Sequence, residues 1–124
     1  MRIVYGAIVQ NRVLIDGSKD FQVTRDANGL VEVAVNPPFE TLPVVVLTQH
    51  YPPGNTDFNN GGGDTRDNSV LVAVDKGRFL VKNGDNVGTP RPERAFHFIA
   101  MAPGQGGEGQ GGPALAGLVK SVGL

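Results

Sequence analysis

The sequence contains no cysteine and no tryptophan among its 124 residues. The first absence excludes disulfide frameworks, thiolate zinc sites and thiol nucleophiles. The second removes the broadest aromatic platform a ligand can stack on. No sign of charge dominates either. Eleven Lys and Arg stand against twelve Asp and Glu, for a net charge of −1. A protein that grips phosphates by releasing counterions carries a basic surplus, so nucleic acid is not expected as a partner. Long apolar runs are also missing. Near the start, Ile3 to Val9 is interrupted by Gly6 and followed by Gln10, Asn11 and Arg12. That falls short of the ~20 residues of a spanning helix and of the apolar stretch of a signal peptide. The run reads as the first strand of the mature protein. Cytoplasmic synthesis is expected, and the working compartment stays open between non-classical export and association with a particle.

What the chain does have is turn chemistry. Glycine and proline number 18 and 9, and hydrophobic residues make up 40% against 19% charged. A disordered polyelectrolyte needs the reverse balance. The length suits one domain.

Short β-rich runs recur between turns. Residues 3–9 and 12–15 are rich in β-branched side chains, and Asp16-Gly17 supplies a turn. Phe21 and Val23 alternate with polar neighbours, Asn28-Gly29 is a hairpin signal, and Leu30, Val31, Val33 and Val35 return. Pro37-Pro38 ends that strand, because proline cannot donate to a ladder. The continuous run Val44 to Leu47 predicts burial on both faces. Val70 to Val74 pairs with Phe79 to Val81 across Asp75-Lys76-Gly77, and Asn83-Gly84 opens a further turn-rich stretch. In the last strand, Phe96, Phe98 and Ala100 share a face and His97 points away from them. Seven or eight short strands over residues 1–102 predict an all-β sandwich or small barrel, and a small antiparallel β-sandwich is the expectation.

Residues 103–112 form a Gly-rich linker, and 113–124 an amphipathic segment. Leu115, Leu118, Val119 and Val122 make one helical stripe. So short a helix is marginal alone and needs a surface: its own sandwich, a neighbouring protomer, or another partner.

Residues 30–102 resemble the H-type lectin domain. The likeness lies in VEVAVNPPFETLPVVVLTQ, in NSVLVAVDKGRFLVKNGD and in the closing strand RAFHFIAMA. Similar runs occur in bacterial and phage segments associated with tail fibres. The resemblance implies a small antiparallel sandwich that assembles as a homotrimer and binds sugars at protomer borders. The family's sugar site uses an aromatic residue and a polar cluster in the turn before the last strand, and an arginine near the start of the strand at 69–75. Here that turn reads GDNVGTPRPE, and Arg66 is near the second position but out of register. No sugar-binding residue carries over directly, so a lectin would have to use other contacts.

The natural place for those is the loop YPPGNTDFNNGGGDTRDN, longer than a hairpin requires. Its candidates for ligand contact are His50, Tyr51, Asp57, Asn59, Asn60, Asp64, Arg66 and Asp67. Tyr51 is the best platform for a sugar face. Asp57, Asn59 and Gly61 begin like a calcium loop, yet its fifth position is glycine and the bidentate glutamate is missing. The two histidines, His50 and His97, have no obvious third ligand, so no metal or other cofactor is expected. His97 and the Leu115, Leu118, Val119, Val122 stripe are candidates for a contact between copies. Ser18, Ser69 and Ser121 lie in no nucleophile elbow, and the carboxylates fit turn chemistry, so an enzyme is not expected. The reading that follows is a non-catalytic carbohydrate or cell-surface recognition module acting as an oligomer. Its rival is a structural or assembly module without a small ligand.

Overall fold

A computed structural model describes residues 1–9 and 12–104, without the side chains of 12–16. Eight strands are present among them: β1 (Arg2–Val9), β2 (Arg12–Gly17), β3 (Phe21–Arg25), β4 (Leu30–Val35), β5 (Val44–His50), β6 (Asn68–Val74), β7 (Arg78–Gly84) and β8 (Ala95–Ala102). They form two four-stranded antiparallel sheets, β2-β1-β8-β5 and β3-β4-β7-β6. The expected sandwich is therefore what the chain builds. The segment carrying Leu115, Leu118, Val119 and Val122 lies outside the described residues.

Local chemistry sets the hairpins. Between β3 and β4, the Asp26 carboxylate accepts from the backbone N–H of Asn28 and of Leu30, and Gly29 takes φ 83°, where glycine has no steric cost. Between β6 and β7, Asp75 accepts from the N–H of Gly77 and of Arg78. The reversal after β2 departs from expectation. The strand runs through Gly17, and the turn falls at Ser18–Asp20, with Lys19 at φ 70°. Asp20 anchors that turn by accepting from Ser18 Oγ at 2.5 Å and pairing with Arg2 at 2.9 Å.

The core lies between the sheets. β1 and β8 contribute Val4, Ile8, Phe96, Phe98 and Ala100, and the facing sheet contributes Phe21, Val31, Val33, Phe79 and Val81. Phe98 stands at its centre, edge-on to Phe21 at 4.9 Å and to Phe79 at 5.2 Å between ring centroids. Gly6 makes room for this cluster, because a Cβ there would stand 2.5 Å from Phe21 and 3.0 Å from Phe98.

Two further expectations need correction. Val44 to Leu47 is not buried on both faces. Val45 and Leu47 pack on the core, but Val44 is 65% exposed and Val46 58%, since β5 is an edge strand whose outer face no other element of the described chain covers. Asn83-Gly84 is not a turn either. It ends β7, and Asn83 is fully buried, with its amide oxygen accepting from Ser69 Oγ and its amide nitrogen donating to the Arg94 carbonyl. A buried amide satisfied on both sides acts as a fixed joint between strands rather than a bend.

The outer faces of the two sheets contrast. Register places Ile3, Met101 and Val44 in one row, Tyr5, Ile99 and Val46 in the next, and Ala7, His97 and Thr48 in a third. No Asp, Glu, Lys or Arg stands among them. The other sheet turns out Gln22, Thr24, Glu32, Arg78 and Lys82, with Arg78 paired to Glu32 at 3.0 Å. Exposed Val70 and Val72 on β6 stand beside these charges, whereas the three rows of the first face carry no Asp, Glu, Lys or Arg.

Replacing Gly6 with Ala should destabilise the domain by about 1–3 kcal/mol, the cost of overpacking a closed core. Gly61→Ala, which meets nothing within 4 Å, should leave the urea midpoint nearly unchanged. Equal midpoints for the two variants would show that the core yields at Gly6.

Candidate functional site

β5, β7, β1 and β3 all end, and β6, β8 and β4 all begin, at the same end of the sandwich. The segment 51–67 therefore lies beside 85–94, and Asn86 reaches Asp64 across them at 3.5 Å. Between the strand ends and this loop opens a cleft of about 400 Å³ lined by Gln49, Tyr51, Gly61, Gly62, Gly63, Asp64, Thr65 and Asp67.

The cleft is built on a pinned base. Gln49, at the end of β5, donates to the carbonyls of Asn68 at 2.7 Å and Gly84 at 3.0 Å, and accepts from Arg94 at 3.1 Å. The same Arg94 nitrogen lies 3.4 Å from Asp67, both side chains being more than four-fifths buried. Asp67 also accepts from the Asp64 N–H at 3.1 Å. One guanidinium thus ties β5, β8 and the end of the long loop together. Above it, Gly62 lies against the Tyr51 ring so closely that a Cβ would overlap it. Glycine is required there by close approach, and it lets backbone polar groups flank an aromatic ring.

Arg66 clamps Asp64 with two bonds of 3.0 Å, and its own N–H adds a third at 2.9 Å. These bonds, the guanidinium first, hold the Asp64 carboxyl well below the usual carboxylate range. Behind the cleft, Asp85 accepts from the Thr89 and Val87 N–H groups and from Arg91. The Thr89 bond is the strongest influence lowering its pKa.

Of the eight loop candidates, the structure brings Tyr51, Asp64 and Asp67 to the cleft. Asp57 and Asn60 spend side-chain oxygens on Asx turns, accepting from the N–H of Asn59 and of Gly62 at 3.0 Å each. Asn59 and Arg66 do not line the cleft, and the Arg66 side chain is 69% exposed. His50 turns to the outer face of its sheet, toward His97. Gln49 and Thr65 line the cleft and were not among the candidates. Gln49 carried a signal only in hindsight, as a polar residue closing an apolar strand. Among the described residues, no three of His, Asp and Glu converge as a metal cluster, and no helix is long and apolar enough to cross a membrane.

Three other hollows differ from the cleft, and one of about 310 Å³ lined by Thr24, Arg25, Asp26, Leu30, Glu32 and Leu80 has no aromatic ring. A wider one of about 670 Å³ at the opposite end is open and lined by Pro38, Leu42 and the β6–β7 turn. A smaller one of about 250 Å³ on the outer side of β4 and β7 has its charged groups, Glu32, Asp75 and Arg78, paired with one another. The cleft sets a partly exposed aromatic ring, Tyr51, beside the carboxylates of Asp64 and Asp67, a mixture that can fix a ligand's orientation. Comparison with protein-family models, with curated proteins and with solved structures gives no match.

Arg94→Ala should cost about 1–3 kcal/mol, since it strands a buried carboxylate and a buried amide oxygen. It should also speed proteolysis within 51–67, read by mass spectrometry of the fragments. Arg66→Ala should leave the melting temperature unchanged, because its ion pair is exposed. A cleavage rate unaltered in Arg94→Ala would remove Arg94 as the pin of the loop.

Proposed function

We propose that this chain is a non-catalytic recognition module for carbohydrate, lectin-like in its mode of binding and acting as an oligomer with a homotrimer as the expected assembly. The observation that carries the reading is the Tyr51 cleft. A sugar ring offers apolar C–H faces to an aromatic ring and hydroxyls to carboxylates, and the cleft sets Tyr51, Asp64, Thr65 and Asp67 within one wall. Tyr51 is 38% exposed, so part of its ring is open to a ligand. The H-type lectin likeness of the sequence agrees with this reading without supplying its contacts, which lie in a different loop.

Oligomer formation draws support from the uncharged outer face of β1, β8 and β5. Ile3, Tyr5, Val44, Val46 and Ile99 are each more than two-fifths exposed there. A contiguous apolar patch of this kind marks an interaction surface. The same patch favours the second reading, a structural or assembly module with no small ligand. The two part on whether glycans bind.

A glycan array probed with the full chain should show saturable binding to a defined group of sugars. Tyr51→Ala should then weaken it by about 2 kcal/mol, the scale of a hot-spot aromatic, or roughly thirty-fold in Kd. An empty array would leave the assembly module as the reading. Unchanged affinity in Tyr51→Ala would move the site to another part of the loop end.

Light scattering should give three times the 13.0 kDa of one chain. Val46→Lys, which places a charge in the middle of the apolar face, should shift the mass toward 13.0 kDa while leaving the circular dichroism unchanged. A wild-type mass of one chain at all concentrations would end the oligomer part of the reading.

A further inference from the structure

The two histidines, 47 positions apart in sequence, meet on the outer face of the β1–β8–β5 sheet. His97 pairs with Thr48 across the β8–β5 ladder, and His50 is two residues further along β5, so the rings are diagonal neighbours. They stand edge to face, with His97 Nε2 3.2 Å from His50 Nδ1. The other nitrogen of His50, Nε2, lies 2.7 Å from the Asn55 carbonyl oxygen. A carbonyl only accepts, so Nε2 carries the proton. In the neutral ring Nδ1 then holds a bare lone pair directed at His97. The backbone of the long loop has fixed one tautomer of His50 and its ring orientation.

We propose that His50 Nδ1 and His97 Nε2 form a two-imidazole site for a divalent late transition metal ion such as Ni²⁺, Cu²⁺ or Zn²⁺. The spacing is the first support. Two nitrogens each ~2.1 Å from one ion lie ~3.0 Å apart at a right angle and ~3.4 Å apart at the tetrahedral angle. The 3.2 Å separation falls between them. The bond from His50 Nε2 to Asn55 is the second. Ligating histidines donate their other N–H to a carbonyl or carboxylate, which sets the tautomer and raises the basicity of the ligating nitrogen. Imidazole nitrogen selects this class of ion over Mg²⁺ and Ca²⁺, which prefer oxygen.

The strand neighbours of His97 carry no fixed charge. His97 is flanked by Ala7 on β1 and by Thr48 and His50 on β5, with no Asp, Glu, Lys or Arg among these neighbours. Metal binding replaces the N–H···N bond between the rings. His97 moves its proton to Nδ1, both ring nitrogens facing the ion are then unprotonated, and water fills the remaining positions. The site is separate from the Tyr51 cleft and does not depend on a sugar being bound there.

The test is calorimetric titration of the full chain, free of any histidine tag, with NiCl₂ at about pH 7.5. One ion per chain should bind with a micromolar Kd. His50→Gln and His97→Gln should each weaken binding at least tenfold, the scale of losing one element of a metal site. Lowering the pH to about 5, below the ordinary histidine pKa, should abolish it. Cu²⁺ in the same site should show electron paramagnetic coupling to two nitrogens, reduced to one in either variant. His97 is exposed, so His97→Gln folds and keeps the test informative if His50→Gln does not. Wild-type affinity equal to that of His97→Gln, or a copper spectrum unchanged between them, would overturn the proposal.

Discussion

The body of this sandwich is arranged around the Phe98 ring. It meets Phe21 and Phe79 from the opposite sheet, and its backbone pairs with Gly6 on one side and Leu47 on the other. Burial of one such ring is worth about 3–5 kcal/mol when it is cut back to alanine. A surface ion pair such as Arg78–Glu32 contributes about 0–1 kcal/mol. The aromatic contact between the sheets therefore decides the fold, and the surface charges only decorate it. Because both neighbours of Phe98 are fixed by register, the side chains of β1 and β5 are assigned to inner or outer faces as a consequence.

That assignment composes the outer face of the β1–β8–β5 sheet. Inward packing of Val45 and Leu47 turns Val44 and Val46 outward. Inward packing of Phe96 and Phe98 likewise turns His97 toward His50. The loop end follows a different logic. There Arg94 and Gln49 join strands through hydrogen bonds in a largely buried setting, where an unpaired group costs more than the bond contributes. Order in the long loop thus comes from polar satisfaction, and order in the body from apolar contact.

How much of this the sequence displayed depends on distance along the chain. The β3–β4 and β6–β7 hairpins were legible because Asp26, Gly29, Asp75 and Gly77 act within a few residues of themselves. The alternation of Phe96, His97 and Phe98 was legible for the same reason. Val44 to Leu47 misled, because a continuous valine run looks alike whether its second face meets a helix, another copy or water. Asn83-Gly84 misled because the partners that straighten it, Ser69 and Arg94, are supplied by β6 and by the residue before β8. The loop could be marked as a binding region from its length and composition. Its division into turn-forming residues and cleft-lining residues could not, since only the packing of Gly62 on Tyr51 and the reach of Arg94 separate them. The meeting of His50 and His97 is likewise a product of strand register alone.

Arg2 and Ala102 are register partners at the ends of adjacent strands, and both stand at the end of the sandwich away from the Tyr51 cleft. The body therefore has a polarity. Whatever is joined to the chain before Arg2 or after Ala102 is attached at its base, and the cleft is carried outward at its tip. A scaffold, a particle surface or a neighbouring protein fused at either point would bear the long loop facing solution, with the apolar flank of the sheet standing upright between them. Arrayed on such a support, side-by-side contact through that flank and outward binding at the tip would not compete for the same surface.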